Sequence, residues 1–285
     1  MTRRPVCRRL VVAAVAAAVP VFVLAAGCGS DGGGASRPAQ DGRPTVVAGF
    51  FALADVVRAV AGPGVRVVDL TPPGVEPHDL ELSTRQVDEV QDADAVVIMA
   101  RAFQPAVQRA ANRAKGTVVR VAIPDADPHI WLDPVRMQDV AQQVAAAMPG
   151  GHADASGFVA RLQELDRAYR DGLRDCDRRT IVTAHAAFGF LAKRYGLEQE
   201  AITGLSPEAE PDPKRLAQVA DIVRRTGTTT VFSEELVSPK VAKALAREAG
   251  VKVDVLNPLE SGRPGTYLTA MGENLRRLRA ALGCR

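Results

Sequence analysis

From Thr45 onward, short β-branched runs alternate with amphipathic segments at helical spacing, and the alternation occurs twice. Parallel strands need long crossover connections, and a helix that makes the crossover packs back on the sheet, so this pattern calls for parallel sheets covered by helices. In the first half the expected strands are Thr45–Ala48, Val65–Leu70, Ala95–Met99 and Thr117–Val121. In the second they are Thr180–Thr183, Ala201–Thr203, Thr229–Phe232 and Val251–Val255. Helices fall between them, as over Ser83–Asp92, where Ser83 offers a cap and Val87 and Val90 share a face. Two more helical stretches separate the halves, Val135–Met148 and then Ala153 to about Asp175, parted by Pro149-Gly150-Gly151. The second carries Phe158, Leu162, Leu165, Tyr169 and Leu173 at helical spacing, with no glycine before Gly172, and reads as a stiff spine. The expected fold class is α/β: two lobes, each a mostly parallel β-sheet flanked by helices, joined by one long linker helix. The lobes span 44–150 and 177–285, and the linker 151–176.

The N-terminus reads as an export signal. Arg3, Arg4, Arg8 and Arg9 precede an apolar stretch, Leu10–Ala26, which is too short and too broken by Pro20 to make a good membrane span. Residues 1–27 are expected to leave as a lipoprotein signal peptide, because Ala25-Ala26-Gly27-Cys28 is similar to a bacterial lipobox, with Cys28 as the lipidated residue. Ordinary cleavage that leaves Cys28 as a free thiol is the alternative. Residues 28–43, rich in glycine and serine, form a flexible tether, so a folded domain anchored to the cell membrane on its extracytoplasmic side is expected. The formal charge of +3 becomes −1 once the four signal arginines are gone, and no basic patch with interleaved aromatics remains, which argues against nucleic acid as a partner. Cys176 and Cys284 are then an even pair in an oxidising compartment and are expected to form a disulfide, two buried free thiols being the alternative.

The histidines carry the chemistry. In open parallel sheets, ligands bind beyond the carboxyl ends of the strands. His78 follows the second expected strand, His129 the fourth and His185 the fifth; of the four histidines only His152 breaks the pattern. His129 sits in Asp127-Pro128-His129-Ile130-Trp131-Leu132-Asp133-Pro134, between two prolines that hold the backbone extended and aim the side chain. Asn257 ends the last expected strand. Three imidazoles and one oxygen converging from two lobes suit Zn²⁺, whereas hard cations want carboxylates. The competing reading is structural: Ile130 and Trp131 plug a core, and the histidines are ordinary core or loop residues.

Glu76-Pro77-His78-Asp79, the Asp127–Pro134 block, Thr183-Ala184-His185-Ala186-Ala187-Phe188-Gly189-Phe190 and Pro207-Glu208-Ala209-Glu210-Pro211 together resemble the signature blocks of the zinc and manganese solute-binding proteins of bacterial ABC importers. The likeness runs in order over nearly the whole mature chain. It implies a monomeric, non-enzymatic lipoprotein that captures a divalent metal between its lobes and hands it to an ABC permease and its ATPase. It also implies metal ligands at His78, His129, His185 and Asn257. The family commonly has a carboxylate at the fourth position, so a water, Glu76 or Glu234 could stand there in place of Asn257. Asp79, Asp133 and Glu234 are candidates to orient the imidazoles through their other ring nitrogens. An imidazole at His185 favours zinc over manganese. Rival readings are a manganese importer component, a metal-dependent adhesin, and a zinc hydrolase, for which no His-Glu-x-x-His motif is present.

Overall fold

A computed structural model describes residues 42–101, 103–151, 153–261 and 265–285. The signal, Cys28, nearly all of the tether and His152 lie outside the described residues.

Among the described residues, eight strands form two sheets of four. They are β1 (Thr45–Ala48), β2 (Arg66–Asp69), β3 (Ala95–Met99), β4 (Thr117–Val121), β5 (Thr180–Thr183), β6 (Glu198–Ala201), β7 (Thr230–Ser233) and β8 (Lys252–Val255). The helices are α1 (Phe51–Ala61), α2 (Thr84–Gln91), α3 (Pro105–Ala111), α4 (Pro134–Ala147), α5 (Ser156–Gly172), α6 (Gly189–Tyr195), α7 (Pro213–Thr226), α8 (Lys240–Ala249) and α9 (Tyr267–Leu282). The sheets run β2-β1-β3-β4 and β6-β5-β7-β8, all pairs parallel, and Val46 stands opposite both Val67 and Ala95. The two halves therefore share one topology, with a switch in strand order at β1/β3 and again at β5/β7.

Seven of the eight expected strands overlap the observed ones closely, and the sixth is displaced. It occupies Glu198–Ala201 rather than Ala201–Thr203, because β6 is an edge strand whose residues are exposed or half-buried except Ala201. A polar edge carries no apolar alternation for sequence reasoning to find. Ser83 caps α2 in a reciprocal capping box with Gln86. The spine is shorter than its sequence pattern: α5 has 17 residues, a length of about 25 Å.

One apolar core runs through both halves, from α1 and Trp131 through α4 and α5 to α6 and α9, while separate clusters cover the outer faces of each sheet. Helix α9 returns to the first half: the Asp55 carboxylate on α1 accepts from Tyr267 N at 2.7 Å, and Tyr267 Oη donates to Trp131 O at 2.7 Å. Cys176 and Cys284 are joined in a disulfide, 108 residues apart in sequence. Around it the chain end pairs with residues 175–178, Arg178 N donating to Leu282 O and Arg285 N to Asp175 O.

Candidate metal centre

Each donor side chain comes from a loop at the carboxyl end of a strand. His78 lies in the turn after β2, whose start is set by Pro72, Pro73 and Gly74 (φ +84°). His129 follows β4 and precedes a single 3-10 turn, Ile130–Leu132. His185 follows β5 directly, and Glu260 follows β8.

These four side chains converge. Nε2 of His129 lies 3.3 Å from Nε2 of His78, 3.4 Å from Nε2 of His185 and 3.2 Å from Oε1 of Glu260. The same Glu260 oxygen lies 3.3 Å from His78 Nε2 and 3.5 Å from His185 Nε2. Four donors in a tetrahedron with bonds of about 2.0–2.1 Å stand about 3.3–3.4 Å apart. The five separations given are close to that edge length, and the sixth pair, His78 and His185, lies within 4.8 Å. His129, His185 and Glu260 are buried at 0–1% exposure, and the His78 side chain at 12% is the only donor that reaches the surface. A cleft of about 350 Å³ opens beside it, lined by Arg101, Phe103, Asp125, Pro128 and Leu205 among others.

Asn257 does not join the cluster, which corrects the sequence expectation for the fourth donor. Its Oδ1 accepts from Leu259 N at 2.7 Å, closing an Asx turn, and its backbone is held on both sides by Asn274. Leu259 takes a left-handed φ of +59°, and the next residue is Glu260. Asn257 is thus the turn former, and Glu260 is the carboxylate that meets the three imidazoles. Sequence reasoning missed Glu260; its signal was that it is the sole carboxylate between Asp254 and Glu273. Neither Glu76 nor Asp79 nor Asp133 offers an oxygen to the cluster. Glu76 Oε1 accepts from His78 N at 3.1 Å, and Asp79 is exposed. Asp133 caps α4 and pairs with Arg194.

Two imidazoles have carboxylates at their outer nitrogens. Asp127 Oδ1 lies 2.7 Å from His129 Nδ1 and also accepts from His129 N. Glu234, at the end of β7, lies 2.5 Å from His185 Nδ1 through one oxygen, and its other oxygen accepts from His185 N at 3.1 Å. The close Nδ1 contact pairs the ring with the carboxylate charge. A ring that gives its Nδ1 proton to a carboxylate leaves Nε2 with a free lone pair for a metal. Of the three orienting candidates, Glu234 takes this place and Asp79 and Asp133 do not, while Asp127, inside the histidine block, takes the other.

The metal-free charge balance follows from this packing. Burial alone would raise the Glu260 carboxyl, but hydrogen bonds from His129, His185 and His78 outweigh it and hold it well below the usual range. Burial would lower His185, but Glu234 and Glu260 carry it up to about 10, and His129 is raised in the same way by Asp127 and Glu260. Glu76 is pushed up to about 8, chiefly by burial and by the charge of Glu260. The surrounding carboxylates therefore favour the protonated form of both imidazoles.

Two parallel α/β sheets that present three imidazoles and a carboxylate to one enclosed point define a two-lobed α/β protein with a candidate metal centre. The model of the zinc-uptake complex component A family, periplasmic ZnuA, matches residues 46–281, and the chain belongs to that family. It is 33% identical over 279 residues to the zinc-binding lipoprotein AdcA of Streptococcus pneumoniae, with 84% of this chain aligned. The chain spans about 56% of the length of that relative. It is 29% identical to the high-affinity zinc uptake system protein ZnuA of Bacillus subtilis, over 92% of this chain and 94% of the other. Among solved structures, the laminin-binding protein Lmb of Streptococcus agalactiae, described as bifunctional with adhesin and metal-transporting activity, superposes with a TM-score of 0.78. The two are 32% identical, over 84% of this chain and 99% of that one. Among the described residues no helix is long and apolar enough to cross a membrane.

Proposed function

We propose that this chain is an extracytoplasmic solute-binding protein that captures Zn²⁺ between its two lobes and delivers it to an ABC permease and its ATPase, held at the membrane by a lipid on Cys28. The convergence of His78, His129, His185 and Glu260, whose ligand atoms all lie within 4.8 Å of one another, carries the reading. Three nitrogens and one oxygen at four-coordinate spacing favour zinc over manganese, which suits oxygen-rich sites of higher coordination. The family and the zinc-named relatives support the same choice. A hydrolase would keep one metal position open for water, and the Glu260 carboxylate beside the three imidazoles supports a closed, four-ligand site instead. Transport cargo must also leave, and His78, at the rim on an exposed turn, is the ligand placed to let go first.

Competitive titration of the chain from Gly29 onward with Zn²⁺ and Mn²⁺, beside His129→Ala, tests the site. One tight Zn²⁺ equivalent, lost in the variant, is expected. Binding that the variant leaves untouched would return His129 to a purely structural role.

A further inference from the structure

His129 and His185 belong to different halves, and the segments that carry them meet at one ion pair. Asp133 lies four residues after His129, across the 3-10 turn, and Arg194 lies in the last turn of α6, nine residues after His185. The Asp133 carboxylate accepts from Arg194 Nε at 3.0 Å on each oxygen and from Nη2 at 2.7 Å. Its side chain is 3% exposed and that of Arg194 33%, so water competes little for the pair. A second cation from the first half reaches the same place: Arg136 brings its Nε to 3.6 Å of Asp133 and lays its guanidinium over the Phe190 ring of α6 at 4.7 Å. On the far side of α6, Tyr195 Oη donates to Asp166 on α5 and its ring stacks on Tyr169.

We propose that Asp133 and Arg194 are positioning residues for the metal centre, their forked ion pair fixing the distance between the His129 and His185 segments. This rests on the zinc reading above and adds the element that makes the site selective. A guanidinium–carboxylate fork is directional, so it sets an angle as well as a distance between the 3-10 turn and α6. Tetrahedral edges of about 3.3 Å leave a few tenths of an ångström for error, and a site that relaxes beyond them admits waters and loses its preference for a four-coordinate ion. The competing account is that the pair adds only fold stability, which buried ion pairs often do weakly.

The test uses the mature chain with Asp133→Asn, which keeps the oxygen that caps α4, and Arg194→Lys, which keeps the charge and loses the fork. Four quantities are read: Zn²⁺ and Mn²⁺ affinity, Zn²⁺ release to excess chelator, the visible Co²⁺ band of tetrahedral coordination, and thermal unfolding of the metal-free chain. Asp133→Asn is expected to weaken Zn²⁺ binding about tenfold, the low end for groups beyond the ligands, to weaken Mn²⁺ less, and to reduce the Co²⁺ band. Arg194→Lys falls between parent and Asp133→Asn, and the double variant is no worse than Asp133→Asn alone, because the two act as one unit. If Asp133→Asn does not fold, Arg194→Lys carries the same comparison. An unchanged Zn²⁺/Mn²⁺ ratio and Co²⁺ band beside a lowered unfolding temperature would overturn the proposal and leave the pair structural. A parent chain that binds no Zn²⁺ would overturn the metal reading itself, and this proposal with it.

Discussion

The two sheets have the same strand order and the same parallel sense, yet the crevice at the switch in strand order holds opposite contents. Past β1 and β3 it is filled with aromatic rings: Phe50 and Phe103 lie 5.2 Å apart and pack on Trp131 at 4.6 and 5.1 Å. Past β5 and β7 it holds His185 and Glu234 in contact. The first half draws its donors instead from the outer strands, His78 after β2 and His129 after β4, and rests them on the aromatic floor, His78 on Phe103 at 4.7 Å and His129 on Trp131 at 5.0 Å. Topology thus supplies a place for ligands twice, and the side chains at the strand ends decide which one becomes a floor and which a charged wall.

The contrast breaks most sharply at Glu260, the acid of the charged half. Glu260→Ala should cost about a thousandfold or more in Zn²⁺ affinity, beyond the 10–100-fold of groups that touch ligands only. Asn257→Asp should bring no gain in the same competition assay; a large gain would restore Asn257 as the fourth donor. On the aromatic side, Trp131→Ala should lower stability by about 3–5 kcal/mol in denaturant unfolding, since the indole is fully buried and its Nε1 donates to Pro258 O. A loss under about 1 kcal/mol would mean that the floor is not a floor.

The orienting carboxylates compare the halves directly. Asp127→Asn and Glu234→Gln should each weaken Zn²⁺ about 10–100-fold, Glu234→Gln more, because its side chain is 2% exposed against 20% for Asp127. Equal effects would show that burial does not set their weight.

A pH series separates the halves by charge. His185, raised to about 10 from an ordinary 6.5, holds a proton at neutral pH that Zn²⁺ must displace. Affinity should therefore keep rising up to tenfold per unit well above pH 7, where an ordinary histidine site would level off. The stability that this group lends the metal-free chain is fully present below about 6.5 and is lost as pH rises toward 10. The Glu260 contribution runs the other way, present above its ordinary range near 4.5 and lost as pH falls below it. An affinity plateau beginning at pH 7 would contradict the raised His185.

Much of this was legible in sequence because it depends on neighbours along the chain. β-Branched runs at Thr45–Ala48 and Ala95–Met99 specify buried parallel strands by themselves, and Ser83 with Gln86 specifies a helix start. Three of the four side chains that converge were readable from their places after strands, whereas Asp133, expected to orient an imidazole, pairs with Arg194 instead. The edge strand β6 was not, since only Ala201 of its four residues is buried, and neither was the exchange of Asn257 for Glu260. The sequence alone put an oxygen-bearing residue after the last strand; only the tertiary structure decided which, because the Asx turn spends the Asn257 oxygen on Leu259 N and delivers Glu260 to three imidazoles from 75 to 182 residues away. Local backbone chemistry is written in order along the chain, whereas the partners of a buried charge are whatever the fold brings within 3.5 Å of it.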